Sequence, residues 1–363
     1  MKVGIMTFHR AINYGAVLQA FALCKFINNM GVTCEVIDYH SISLNETYRI
    51  FDLKKNNPIV GVLKGLIKGN IIVNKKIKFK RFVNNYISLS EIQYEKEELK
   101  SLNNKYDLFI TGSDQVWSPN CVGFDEAYFL TFAEDKKKNS YAASIGCKSI
   151  PENKREEYKK RLSGYKNISL REINAVALLK EIGVEADMEV NIDPTFLLSS
   201  DTYNDIAVKP SEEKYVLVFS VNMPVNLLEY AKRLAALKNL KVIYINDKPI
   251  MRVKGIEYKA GISPEEFLGY IKNAEYVVTN SFHGTAFSVI FHKQFFVEYN
   301  TKNGRNSRSE ELLNKLNITG RELINEKPID DAAIDWESVD NVINNERIKS
   351  MNYIKKIIEG QNE

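Results

Sequence analysis

Tyr276-Val277-Val278-Thr279-Asn280-Ser281-Phe282-His283-Gly284-Thr285-Ala286-Phe287-Ser288-Val289-Ile290-Phe291 is the stretch on which the fold turns. Residues 275–279 form an apolar run that predicts a buried parallel strand, and residues 287–291 read as the start of a short buried helix. A strand that stops at small polar residues and resumes as a helix leaves backbone N–H groups unpaired. The helix dipole adds to their pull on an anion. Ser281 and Thr285 lie in that turn, and Gly284, lacking a Cβ, lets a ligand approach the backbone closely. His283 is then placed at the carboxyl end of a strand, where open α/β sheets bind ligands, and it suits proton transfer. The alternative is a plain strand–turn–helix joint whose histidine is satisfied by local hydrogen bonds.

The same alternation extends outward in both directions. Strands are expected at 3–8, 34–39, 107–111, 140–144, 167–170 and 189–193, with helices at 14–30, 152–162 and 172–182. The first helix is closed by Gly31. A second series has strands at 215–221, 242–246, 276–279 and 295–299. Such alternation builds parallel sheets covered by helices. The polar stretch 199–214, which contains Pro210, marks a boundary. The division is therefore 1–200, 201–335 and a last segment, 336–363, whose helix (339–358) crosses back onto the first domain. Two Rossmann-like α/β domains facing across a cleft describe a glycosyltransferase-B-like architecture, which alone does not fix function.

Bulk properties narrow the classes. The chain has 363 residues, enough for two cores, and its 44% hydrophobic and 26% charged residues are those of a soluble globular protein. A net charge of +4 gives no reason to expect nucleic-acid binding. Cys24, Cys34, Cys121 and Cys147 show no CxxC spacing, which fits free thiols in a reducing compartment. Met1-Lys2-Val3-Gly4-Ile5-Met6 reads as a strand rather than a signal peptide, and no run is apolar enough to span a membrane. The expectation is a cytoplasmic protein.

One segment differs from the rest. Residues 53–90 contain no acid, yet carry Lys54, Lys55, Lys64, Lys68, Lys75, Lys76, Lys78, Lys80 and Arg81 among many aliphatic residues. This basic insertion, assigned to the first domain, has two readings. One is a peripheral contact with an anionic membrane surface; the other is a solvated helical cover over the sheet.

Other candidates for chemistry sit at expected strand ends. Gly112-Ser113-Asp114-Gln115-Val116-Trp117 follows the strand at 107–111, so Asp114 can orient or deprotonate a hydroxyl, or it merely caps a turn. Ser169-Leu170-Arg171-Glu172 fits a capping box, which sets Arg171 in a first helical turn where its charge opposes the dipole. Arg308, in Ser307-Arg308-Ser309-Glu310, repeats the pattern, with Arg305 just before it. Two such cations suggest an anionic substrate; the alternative for each is an ion pair with a neighbouring acid. The loop His9-Arg10-Ala11-Ile12-Asn13-Tyr14-Gly15 lacks the G-x-G-x-x-G of a dinucleotide site. The four histidines show no metal-ligand spacing, so no metal is expected.

Asn13-Tyr14-Gly15-Ala16-Val17-Leu18-Gln19, Gly112-Ser113-Asp114-Gln115-Val116-Trp117, Ser140-Tyr141-Ala142-Ala143-Ser144-Ile145-Gly146, Ser169-Leu170-Arg171-Glu172, Asp193-Pro194-Thr195 and Ser281-Phe282-His283-Gly284-Thr285 together resemble the polysaccharide pyruvyl transferase family, in the family's order. The resemblance implies transfer of pyruvate from phosphoenolpyruvate to a sugar, as a cyclic ketal, with no further cofactor. The sugar would belong to a bacterial capsular, exopolysaccharide or cell-wall glycan or its lipid-linked precursor. A lipid-linked acceptor would put the enzyme at the inner face of the cell membrane.

Under this reading His283 and Asp114 are the catalytic pair: His283 protonates the donor carbon and Asp114 serves the acceptor hydroxyl, or the reverse. Arg171, Ser281, Gly284, Thr285, Arg305 and Arg308 bind the donor; His9, Asn13, Tyr14 and Gln115 bind the acceptor. Some members have arginine where this chain has Ser281, so Arg305 or Arg308 would supply that charge. A nucleotide-sugar-dependent glycosyltransferase of the same architecture and a non-catalytic glycan-assembly protein are the competing readings.

Overall fold

The computed structural model describes residues 1–41, 58–120, 124–221, 226–247, 253–299, 307–324, 329 and 332–360, with backbone alone at 58–68 and 307. The chain divides into two compact units. The first comprises Met1–Tyr48, Val83–Leu198 and Ile343–Glu363, and the second Arg49–Phe82 and Ser199–Val342.

In the first unit β1 (Lys2–Met6), β2 (Thr33–Val36), β3 (Leu108–Thr111) and β4 (Lys138–Ser140) form a sheet of order β2-β1-β3-β4. All pairings are parallel, with Val3 opposite both Cys34 and Leu108. The apolar runs Val3-Gly4-Ile5 and Leu108-Phe109-Ile110 are buried, as strands covered on both faces require. Helix α1 (Tyr14–Asn29) connects β1 to β2; Asn13 caps it, and Gly31 at φ 81 follows its end. After α2 (Pro58–Tyr86) and α3 (Arg155–Leu162), β5 (Asn167–Leu170) pairs in parallel with β6 (Asp187–Val190). A parallel bridge between Ala143 and Leu170 carries the chain of strand ends past β4.

The second unit holds a five-stranded parallel sheet of order β11-β10-β7-β8-β9. Its strands are β7 (Tyr215–Phe219), β8 (Lys241–Ile245), β9 (Glu257–Lys259), β10 (Tyr276–Thr279) and β11 (Gln294–Val297). Every residue of β7 is buried. The helices after α4 (Ile173–Glu181) and α5 (Ser200–Asn204) are α6 (Leu227–Lys238), α7 (Pro264–Lys272), α8 (Phe282–Ile290) and α9 (Ser307–Lys315). The capping box of Ser263 and Glu266 starts α7.

The last helix, α10 (Trp336–Glu359), is divided: its residues before Ile343 group with the second unit and those from Ile343 onward with the first. There Tyr353 Oη donates to Ser140 O at 3.0 Å and Arg347 Nε donates to Phe196 O at 2.9 Å.

Several expectations need correction. The strands read as 3–8 and 34–39 end at Met6 and Val36: His9 N–H turns back to Thr7 O at 2.9 Å, and Asp38 N–H leaves the ladder for Ser90 Oγ at 2.9 Å. The edge strand β9 was not expected; its polar residues give no apolar signal. The residues of α2 up to Phe82 group with the second unit rather than the first. Lys75 pairs with Asp247 at 2.5 Å and Lys78 with Glu266 at 2.7 Å, contacts that no local pattern announces. Cys24, Cys34 and Cys147 are free thiols, and Cys121 lies outside the described residues. Among the described residues no helix is long and apolar enough to cross a membrane.

Candidate active site

Each unit gathers its chemistry at the carboxyl ends of its strands. In the first, the loop after β3 starts at Gly112, whose φ of 116 only glycine adopts freely; a Cβ there would stand 2.3 Å from Tyr141 O. Asp114 follows at φ 65, in the left-handed region that aspartate tolerates better than most residues. Its carbonyl accepts the N–H groups of Val116 at 2.8 Å and Ser144 at 3.0 Å, which fixes the conformation. Gln115 is half-buried on the same loop.

A buried polar network ties this loop to its neighbours. Gln19 on α1 donates to Thr7 Oγ1 at 2.8 Å and accepts the Ser113 N–H at 3.0 Å. Ser113 Oγ donates to Ala142 O at 2.8 Å and lies 3.4 Å from Asp193 Oδ2. Asp193 in turn accepts Arg171 Nη1 at 2.7 Å, and its other oxygen accepts both the N–H and the hydroxyl of Thr195. Arg171 also meets Glu172 Oε1 at 3.4 Å and Asp114 Oδ1 at 3.9 Å, with its side chain only 3% exposed and that of Asp114 15%.

Burial opposes the charge of Arg171, but Glu172, Asp193 and Asp114 outweigh it and raise the guanidinium pKa. One cation therefore faces three carboxylates. The capping box read at Ser169 and Glu172 is absent: Ser169 belongs to β5, where its Oγ accepts Ala142 N–H at 2.9 Å. Helix α4 starts with Glu172 as its N-cap residue, without a side-chain cap, so Arg171 precedes the helix rather than standing in its first turn.

The expected acceptor residues fare differently from one another. His9 is buried with Nδ1 3.1 Å from Thr7 O and Nε2 3.1 Å from Asp38 Oδ1, so neither ring nitrogen is left for a sugar hydroxyl. Arg10 clamps the same carboxylate through Nε and Nη2. Burial alone would raise the Asp38 carboxyl, but hydrogen bonds from His9 and Arg10 hold it well below the usual carboxylate range. Asn13 is exposed, its Oδ1 accepting Ala16 N–H at 3.3 Å, and Tyr14 is buried at the start of α1.

In the second unit Ser281 caps α8, its Oγ accepting the Gly284 N–H at 3.3 Å. Thr279 Oγ1 donates to Phe219 O at 2.7 Å and accepts Ser281 N–H at 3.0 Å. A Cβ on Gly284 would lie 2.4 Å from that same oxygen. The close approach that glycine permits is thus taken by Thr279 of the protein itself, which narrows the expected open N–H cradle. Thr285 Oγ1 donates to Ser281 O at 3.1 Å and belongs to the joint too.

His283 is buried, its ring edge-on to Phe282 at 5.1 Å, and the Arg308 guanidinium stands 5.7 Å from the Phe282 ring. Arg308 does lie in the first turn of α9, as expected. Arg305 lies outside the described residues.

Two polar residues of this region escaped the sequence reading. Asn280 Oδ1 accepts Val221 N–H at 3.0 Å, and its Nδ2 lies 3.4 Å from Glu298 Oε2. Glu298 Oε1 accepts Asn226 N–H at 2.8 Å. The only available signal was position, since both follow strand ends. In the first unit Asp193 and Glu172 likewise join the cluster around Arg171, although the motifs that hold them give no sign of it. Among the described residues no group of three or more His, Cys, Asp or Glu side chains is set to hold a metal ion.

Two α/β units with parallel sheets give the chain a GT-B-like fold. The chain belongs to the polysaccharide pyruvyl transferase family, whose sequence model matches residues 13–302. The family places it among transferases that modify polysaccharides.

Among solved structures, Staphylococcus aureus MnaA in a co-structure with UDP is 12% identical at a TM-score of 0.50, over 100% of this chain and 98% of that one. A UDP-GlcNAc 2-epimerase from Methanocaldococcus jannaschii is 12% identical at a TM-score of 0.47, covering 95% and 92%. The ADP-heptose lipopolysaccharide heptosyltransferase II of E. coli is 10% identical at a TM-score of 0.39, covering 97% and 100%. At such identities the likeness is one of fold alone. No curated protein matches the chain significantly.

Proposed function

We propose that this family member transfers pyruvate from phosphoenolpyruvate to two hydroxyls of a sugar in a bacterial surface polysaccharide or its lipid-linked precursor. The observation that carries the reading is His283, held at the capped start of α8 with Arg308 in the same corner of the second unit. Phosphoenolpyruvate brings a carboxylate and a phosphate, and a helix start with a nearby guanidinium is suited to both.

In the reaction one sugar oxygen bonds to C2 of the enol while a proton is added at C3. The C2–O bond to phosphate breaks, and phosphate leaves with the bonding pair. The second hydroxyl closes the ketal at C2 and gives up its proton. His283 is the acid for C3 and Asp114 the base for the attacking hydroxyl. Asp114 is suited to the base role by its exposure relative to Glu172 and Asp193, and Arg171 orients it electrostatically. Phosphoenolpyruvate is made in the cytoplasm, so the reaction is placed there.

The test is incubation with phosphoenolpyruvate and a panel of free, nucleotide-linked and lipid-linked sugars. Inorganic phosphate released in step with a sugar bearing one pyruvyl ketal supports the reading. Turnover that requires a nucleotide sugar and releases a nucleoside diphosphate would make the protein a glycosyltransferase instead.

A further inference from the structure

The basic helix α2 divides its cations between two faces. Lys75 and Lys78 point inward, to Asp247 and Glu266 of the second unit, and Phe79 and Phe82 are buried beside them. Those contacts anchor the helix. The opposite face, at helical spacing, presents Val73, Ile77, Lys80, Arg81 and Asn84. Val73 is 40% exposed and Ile77 60% exposed, one turn apart. Lys76, Lys80 and Arg81 surround them and make no ion pair among the described residues. The sequence from 53 to 90 supplies no acid to neutralise them.

Two exposed aliphatic side chains rimmed by uncompensated cations form a poor solvent face and a poor core face. They match the boundary between anionic headgroups and acyl chains, which takes both. We propose that the outer face of α2, centred on Ile77 with Lys76, Lys80 and Arg81, docks the protein on an anionic lipid bilayer. The occupant is chosen by charge complementarity together with the aliphatic pair; an acidic protein would answer the cations but not Ile77. Docking is independent of the chemistry assigned above, and its test does not use turnover.

Binding of the full chain to phosphatidylglycerol vesicles is measured by co-sedimentation, with phosphatidylcholine vesicles as the neutral reference. At low ionic strength, with a Debye length of about 30 Å, the protein sediments with the anionic vesicles. Binding falls steeply as that length shrinks to about 3 Å. Lys80→Gln with Arg81→Gln lowers the affinity about 30-fold, roughly fivefold per cation. Ile77→Asp lowers it about tenfold or more at unchanged charge on the lysines. Because net basicity alone attracts any anionic surface, the pair Lys25→Gln and Lys100→Gln, both exposed elsewhere, serves as the control and leaves the affinity nearly unchanged.

Circular dichroism melts of all variants check that the fold is retained. The proposal is overturned if the parent stays in solution with anionic vesicles at low salt. It is equally overturned if the control pair weakens binding as much as the α2 pair, or if polyglutamate is bound as tightly as the vesicles.

Discussion

The joint at Thr279 to Thr285 in the second unit and the cluster around Arg171 in the first contrast in how they are built. The joint is made almost entirely of neighbours in sequence: Thr279, Ser281, Gly284 and Thr285 satisfy one another within a single turn. The Arg171 cluster draws on Thr7, Gln19, Ser113, Ser144, Glu172 and Asp193, brought together by separate strand ends. The first arrangement is local and carries a histidine and a nearby cation. The second is non-local, carries a net excess of carboxylates, and is held by one buried guanidinium. A cation that looks the same in a sequence pattern is therefore a different object in each unit.

Arg171→Ala gives the largest expected effect and separates the two regions most sharply. It leaves Asp193 and Glu172 buried without their counter-charge, which costs about 3–5 kcal/mol of stability. Arg308→Ala, at a cation packed over Phe282, should change the urea midpoint far less and instead weaken phosphoenolpyruvate binding about tenfold or more. Equilibrium unfolding and calorimetric titration of both variants check this. If Arg171→Ala keeps the parental midpoint but loses donor affinity, Arg171 is a ligand clamp after all, and the contrast collapses.

A smaller effect is expected within the joint. Gly284→Ala drives a methyl group against Thr279 Oγ1, which is held by Phe219 O and Ser281 N and cannot yield freely. A cost of about 1–3 kcal/mol in urea unfolding is expected. An unchanged midpoint would mean that the joint relaxes easily, and that Gly284 is there for a ligand. Smaller still, Ser281→Ala removes the cap of α8 and should cost about 1 kcal/mol. A loss of donor affinity larger than the loss of stability would give Ser281 a direct contact with the ligand.

The contrast also explains what was legible in the sequence. Buried strands such as Tyr215–Phe219 announce themselves by continuous apolar residues, and α1 by its apolar periodicity and the Gly31 after it, whereas the Asn13 cap went unread. The His283 joint was legible because its geometry is encoded within a few residues, although the partner filling the space at Gly284 was not. Arg171 was misread because Ser169-x-x-Glu172 copies a capping box while Ser169 serves as a strand residue. The strand expected at 167–170 already contains Ser169, and its pairing with β6 shows the strand prevailing over the cap. His9 looked available because Asp38 lies far off in sequence, just past the end of β2, and the parallel pairing of β1 with β2 brings the two together only after folding. Likewise Lys75 read as a free surface cation until Asp247 supplied its partner.

The central claim is that His283 performs proton transfer in a pyruvyl transfer from phosphoenolpyruvate. Its most direct test is turnover by His283→Gln, followed as phosphate release and as formation of the sugar ketal, alongside the thermal melt. The account predicts that the parent releases phosphate in step with ketal formation, while the variant melts like the parent and forms no ketal. A variant that melts like the parent and still forms ketal at most of the parental rate would contradict it.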